Sequence, residues 1–439
     1  MKKLLLTICL VLSLATLDAQ SLYFPPTTGT TWDTISPSTL GWCQPRIDTL
    51  YSFLQAKNTE AFIVLKDGKI VLEKYFGTFT VDSPHIWNSA SKSLTATLTG
   101  IAQENGIINI DSPATHYLGV GWTSETPAQE DSITLLNLLT MTSGMNPLPA
   151  GCTNIDTNIG CLTYLVPVGT QWTYHTGAYR KLENVMSDAS GLNYNVLTQN
   201  YIGTTIGMPG VWVQQEFVST PRSAARFGLL TLNHDIWAGD TLLHDTAYYT
   251  AMINTSQLHN LSYGYLWWLN GKASYLTPSS QIVTSGALIP NGPDDMICAL
   301  GKNDQKIYVI PSTGMVVVRM GNAADSSTDA SSAFDNELWA YIDSLDSCSV
   351  TPSGINDLSQ GPHLSIYPNP VNDVLYIQGA STAASSSATI SILNLLGEVV
   401  AAYAYSDHID ISSLPDAMYI ISVTDHTGHF IGAAKMIKQ

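Results

Sequence analysis

The sequence predicts an α+β fold: an antiparallel sheet backed by helices, a mostly helical lobe inserted into it, and a small β-sandwich after it. Three observations carry that prediction. A helical pattern followed by a β-hairpin opens the main domain, the same elements return in mirrored order to close it near residue 345, and the composition then breaks into a polar linker and a run of short strands.

At the opening, Pro45 begins a stretch in which Ile47, Leu50 and Leu54 recur at helical spacing. "AFIVLKDGKIVLEKYFG" follows, two β-rich runs joined by Asp67-Gly68, a two-residue turn that works because glycine accepts positive φ. At the far end "QKIYVI" and "MVVVRM" are strands separated by the turn "PSTG", and Phe334, Leu338, Ile342 and Leu345 mark one face of a final helix. Chain ends of this kind pair into one sheet backed by the first and last helices, which leaves the residues between them to form the lobe.

Residues 349–363 are rich in Pro, Gly and Ser and read as a linker. From 364 to 439, "HLSIYPNP", "DVLYIQG", "ATISILN", "EVVAAYAY" and "MYIISVTD" alternate as short strands, the pattern of a small β-sandwich, with the Ser/Ala-rich piece at 379–388 as a loop. Residues 1–20 have a basic end (Lys2, Lys3), an apolar run and a small residue at Ala19, the layout of a cleaved secretory signal. The main domain is therefore expected at 21–348.

With 45% apolar residues the 439-residue chain can bury a proper core. Its 12% charged residues and formal net charge of −17 would repel phosphate backbones and anionic membrane surfaces, so nucleic acid is excluded as a partner. No stretch after the leader is apolar for long enough to span a bilayer. The expectation is an exported monomer, secreted or at the cell surface.

Export permits disulfides, and five cysteines remain after the leader. Cys152 and Cys161 flank a short loop whose bridge would stabilise by roughly 2–3 kcal/mol. Cys43 precedes the first helix and Cys348 follows the last, so antiparallel packing of those helices would join them. Cys298 is left as a buried thiol in an apolar stretch. Zinc is disfavoured because no two cysteines have the close spacing of zinc ligands. His426, His429 and Asp294-Asp295 read as solvated loop residues. The sequence therefore calls for no metal and no cofactor. No Gly-x-Ser-x-Gly elbow and no His-Glu-x-x-His motif occurs.

The chemistry concentrates in "IWNSASKSLTATLTG". Leu94, Leu98, Ile101 and Ala102 share one helical face, and the three-residue spacing puts the Ser89 hydroxyl beside the Lys92 amine. A serine becomes a nucleophile when a neighbouring base takes its proton, and lysine is a base only when neutral. Bringing a lysine to pKa ~7 requires roughly 4–5 kcal/mol of bias against its charge. A helix N-terminus supplies about 0.3–1 kcal/mol, whereas burial can shift a lysine by about 3–5 units, so desolvation must dominate. The same spacing also fits Ser89 as a helix cap and Lys92 as a surface residue. His175 is discounted as the base because adjacent side chains usually diverge.

"WNSASKSLTATLTGIAQENGIINIDSPATHYL", "ITLLNLLTMTSGM", "WTYHTGAYRKLENVMSDASG", "TPRSAARFGLLTLNHDIWAGDTLL" and "DQKIYVIPSTGMVVVRMGN" resemble, in order and spacing, the serine β-lactamase and penicillin-binding-protein superfamily. The likeness is to its class C, esterase and nylon-oligomer-hydrolase branch, over roughly residues 40–345. The resemblance implies that Ser89 is the acylated nucleophile, Lys92 its base and Tyr174 the proton shuttle to the leaving group. It also implies an oxyanion hole of the Ser89 and Leu300 backbone N–H groups, with Thr176 and Gly301 beside the substrate. Two departures stand out: the family's Tyr-x-Asn is here Tyr174-His175-Thr176, and its cationic strand motif is replaced by "ALGKNDQ", with Lys302 close by. Hydrolysis of an ester, small amide or peptide is therefore expected ahead of a D-alanyl carboxypeptidase or β-lactamase. A catalytically silent binding scaffold is the alternative of another class. In the tail, "LSIYPNPVNDVLYIQG", "ISILNLLGEVV", "IDISSLPDAMYIISV" and "KMIKQ" resemble the type A sorting domain of the Bacteroidetes type IX secretion system, which implies that machinery as a partner. A sugar-binding β-sandwich is the alternative for this tail.

Overall fold

The computed structural model describes residues 22–326, 330–348, 364–378, 388–394, 399–425 and 430–439. The leader, the linker, most of the Ser/Ala-rich piece at 379–388, and His426 and His429 lie outside the described residues. The chain forms two compact units, Met1–Cys348 and Ser349–Gln439.

In the first unit, α1 (Gln44–Ala56) carries Pro45 in its first turn and buries Ile47, Leu50 and Leu54. It leads into β1 (Thr59–Lys66) and β2 (Lys69–Tyr75). Their turn has φ of +49° at Asp67 and +83° at Gly68, positive at both central residues, as a tight hairpin with right-handed strand twist requires. The lobe contributes α2 (Ser91–Glu104), α3 (Lys181–Ser190) and α4 (Pro221–Leu232). The chain returns to the sheet through β3 (Trp268–Leu269), β4 (Ile297–Gly301), β5 (Gln305–Ile310) and β6 (Met315–Gly321), and closes on α5 (Ala333–Asp343).

The six strands form one sheet in the order β2-β1-β6-β5-β4-β3, every neighbouring pair antiparallel. First and last segments meet at its centre, where Ile63 faces Val318 and Val64 faces Val317. Residues 61 to 65 are all buried, so β1 is covered on both faces and its apolar run is continuous instead of alternating. Helices α1 and α5 pack together, and α4 lies on β1, β5 and β6. One buried ion group is paired: Lys306 on β5 lies 2.9 Å from Asp335 of α5 and 3.2 Å from Asp304. Disulfides join Cys43 to Cys348 and Cys152 to Cys161, and Cys298 is free and buried.

Helix α2 is buried beyond its apolar face. Its apolar face is present, but every residue from Ser91 to Ala102 is buried, so the helix is enclosed all round. Its threonines fit there because a hydroxyl can return to its own helix, as Thr99 Oγ1 does to the Thr95 carbonyl at 2.7 Å.

The second unit has a three-stranded sheet (Ser365–Tyr367, Val374–Gln378, His408–Asp410) and a four-stranded sheet (Thr389–Leu393, Val399–Ala404, Met418–Thr424, Phe430–Ile437). Alternate residues such as Leu375, Ile377, Ile390, Ile392, Ile421 and Val423 point into one shared core, which makes the pair a sandwich.

Candidate active site

Ser89 sits in a tight 3-10 turn, Asn88–Ala90, immediately before α2. It does not cap the helix. The turn is pinned on two sides. The Trp87 N–H donates to the Phe217 carbonyl at 2.9 Å, the Trp87 indole donates to Ser219 Oγ at 2.9 Å, and the Phe217 N–H donates to Ser91 Oγ at 2.8 Å. Across the turn, Asn88 adopts φ +49°, a region where asparagine is tolerated, and its side chain donates to the Lys302 carbonyl at 2.9 Å.

Lys92, one helical turn on, has its Nζ 2.9 Å from Ser89 Oγ and is 1% exposed. Burial holds its pKa down at about 7, against an opposing pull from Glu216; Arg180 adds to the depression and Glu183 opposes it. Two phenol rings flank the amine, with centroids 4.9 Å away for Tyr174 and 4.4 Å for Tyr179. Their faces favour the cation, so the depression arises despite them. Behind these groups, Arg180 and Glu216 pair at 2.6 Å, and burial pushes the Glu183 carboxyl up to about 8.

Tyr174 is buried, stacked on Trp268 at 5.9 Å, and lines a cavity of about 480 Å³ together with Ser89 and Thr176. Leu148, Asn154, Ile155 and Leu165 come to that cavity from one inserted loop region, and Pro278 and Gln281 from another. Leu148, Ile155 and Leu165 are exposed apolar residues at its wall. His175 turns away: its Nδ1 accepts the Ala178 N–H at 3.2 Å, capping the next helix, and burial pushes its pKa down to about 4.

Leu300 is buried in β4, paired with Lys306. Gly301 lies against the serine turn, where a Cβ would stand 2.2 Å from the Trp87 carbonyl oxygen, so only glycine lets the strand approach this closely. Beyond it, Lys302 is the strand-end residue that lines the cavity, and among the described residues it has no ion pair. Sequence reasoning missed Tyr179, Asn154 and the Arg180–Glu183–Glu216 group. They are brought to Ser89 by folding, and only the cysteines flanking Asn154 hint at an ordered loop. Among the described residues, Cys152, Asp156 and Cys161 lie close enough to share a metal ion, but the two sulfurs are joined in the disulfide.

Residues 55–340 match the β-lactamase family profile, and residues 365–439 match the secretion system C-terminal sorting domain. Over 73 residues the chain is 34% identical to the 6-aminohexanoate-dimer hydrolase of Paenarthrobacter ureafaciens, which is 17% of this chain and only 19% of that curated relative's length. Among solved structures, a Bacillus anthracis protein provisionally named a 6-aminohexanoate-dimer hydrolase superposes with TM-score 0.56 at 19% identity, covering 73% of this chain and 88% of its own. A Bacteroides dorei protein provisionally named a β-lactamase gives TM-score 0.55 at 18% identity, covering 70% of this chain and 99% of its own. At these identities the likeness speaks for the fold. The sorting domain directs export through the type IX secretion system, and none of the described helices is long and apolar enough to cross a membrane. The chain belongs to the β-lactamase family, a family of serine hydrolases, and ends in a secretion sorting domain.

Proposed function

We propose that the unit at 21–348 forms an acyl-enzyme at Ser89 on an ester, small amide or peptide, and that 349–363 links it to the sorting unit at 364–439. The observation that carries this reading is the 2.9 Å contact between Ser89 Oγ and an amine that burial keeps near neutrality. Neutral Lys92 accepts the hydroxyl proton as Oγ attacks the carbonyl carbon. The developing oxyanion is met by backbone N–H groups, those of Ser89 and Leu300, and Tyr174 passes a proton to the leaving group. The proton taken by Lys92 reprotonates Tyr174, which leaves the amine neutral again to act as the base when water cleaves the acyl-enzyme. Thr176 lines the cavity beside the substrate, Gly301 is the strand residue packed against the serine turn, and the apolar wall of Leu148, Ile155 and Leu165 favours a substrate with an apolar portion.

A second reading, a D-alanyl carboxypeptidase or β-lactamase, is favoured by Lys302, whose charge at the cavity could take a substrate carboxylate. One experiment separates the readings. The protein is treated with a fluorophosphonate and with a fluorescent penicillin, the adduct is located by mass spectrometry, and short-chain esters are assayed beside D-Ala-D-Ala peptides. Label at Ser89 that is lost in Lys92→Ala supports the hydrolase, penicillin label selects the second reading, and no label with either reagent leaves a silent binding scaffold.

A further inference from the structure

Tyr174 stands just before the short helix Thr176–Tyr179. The Thr173 N–H donates to the Met141 carbonyl at 2.8 Å on one side, and Asn154 holds the backbone at Tyr174 itself and beyond it. Asn154 lies in the loop closed by the Cys152–Cys161 disulfide. Its Nδ2 donates to the Tyr174 carbonyl at 2.6 Å, and its Oδ1 accepts the Thr176 N–H at 3.3 Å. Its own carbonyl accepts the Gly177 N–H at 2.8 Å. The approach is close enough that a Cβ at Gly177 would lie 2.0 Å from the Asp156 carbonyl oxygen. The loop is further tied down by Arg180, which donates to the Ile155 carbonyl at 3.2 Å. It is also set internally, because Asp156 accepts from the Thr153 N–H at 2.6 Å and from its hydroxyl at 2.8 Å.

These bonds demand an amide. The side chain must donate to one backbone group and accept from another two residues on, which an ionised carboxylate or an alkyl group cannot do. Asn154 also lines the cavity, yet both ends of its amide are directed at the backbone beside Tyr174. We propose, resting on the reading of Tyr174 as the proton-transferring group, that Asn154 is a positioning residue: presented by the disulfide-closed loop, it sets the Tyr174 phenol in register with Ser89 and Lys92. A tyrosine displaced by about an ångström loses proton transfer while the pocket still binds, so the loss falls on kcat.

The test uses the full chain and a short-chain nitrophenyl ester, with fluorophosphonate labelling of Ser89 and thermal melting as controls. Asn154→Ala is expected to lower kcat about 10- to 100-fold with KM within about twofold, the range for misplacing a catalytic group. The Cys152→Ser/Cys161→Ser double variant is expected to move kcat in the same direction by a smaller factor. Asn154→Asp supplies a readout that a merely structural role would not move. Its carboxyl can donate to the Tyr174 carbonyl only when protonated, so its activity relative to wild type should rise as pH falls toward ~4. An unchanged kcat in Asn154→Ala, a rise in KM alone, or a flat Asn154→Asp ratio overturns the proposal while labelled wild type keeps the Ser89 reading intact. Wild-type protein that neither labels nor turns over overturns both.

Discussion

Lys92 shows how burial can set a side chain's protonation against the stability of the fold. In the unfolded chain it holds its proton up to about pH 10.5, and in the folded chain only up to about 7. Between those values the unfolded state binds more protons, so this residue's contribution to stability rises with pH across that window and is least favourable below it. Two outcomes are expected. The kcat/KM of wild type should fall on the acid side with an apparent pKa near 7, measured with an ester whose own hydrolysis is flat over that range. Lys92→Met should lose about 10²-fold or more in activity while its Tm at pH 7 rises by about 2 °C or more, since a buried ammonium is replaced by an apolar chain of similar length. The proximity of Ser89 and Lys92 was legible from their spacing. Burial was expected from the apolar helix, but the rings that enclose the amine, Tyr174 and Tyr179, were not legible from that spacing because they come from a distant segment.

At the scale of elements, periodicity was informative wherever an element has one wet face. The positions read as core in α1 and α5 are all buried, with Asp335 and Trp339 of α5 buried as well, and Leu345, read with α5, is buried just past its end. Periodicity was uninformative where both faces are covered, as in α2, since an enclosed helix needs only small or self-satisfied side chains all round. The close approach of β4 to the serine turn makes Gly301→Ala a sharp probe. Its Cβ would press on a backbone oxygen, so Ser89 labelling should slow about 10- to 100-fold while the circular dichroism spectrum is kept. The Cys43–Cys348 bridge ties the start of α1 to the chain after α5 across 305 residues. On the loop-entropy account, Cys43→Ser/Cys348→Ser should cost on the order of 5 kcal/mol or less, read as a lowered midpoint in urea.

For the whole molecule, the two units answer to different demands: one belongs to the β-lactamase family and buries Lys92 beside Ser89, the other carries the export signal. A chain ending at residue 348 is expected to remain inside a host with type IX machinery, whereas the full chain reaches the medium or cell surface, measured by fractionation and immunoblotting. The sequence alone determined what is local or periodic: the hairpins, the helix faces, the serine–lysine spacing and the alternating strands of the tail. These follow from backbone geometry and from patterns repeating within a few residues. Only the tertiary structure decided which distant groups surround Lys92, that Asn154 holds the segment bearing Tyr174, and that Lys302 reaches the cavity. The physical reason is that desolvation and hydrogen-bond geometry depend on neighbours in space, and here those neighbours are supplied by segments tens to hundreds of residues apart.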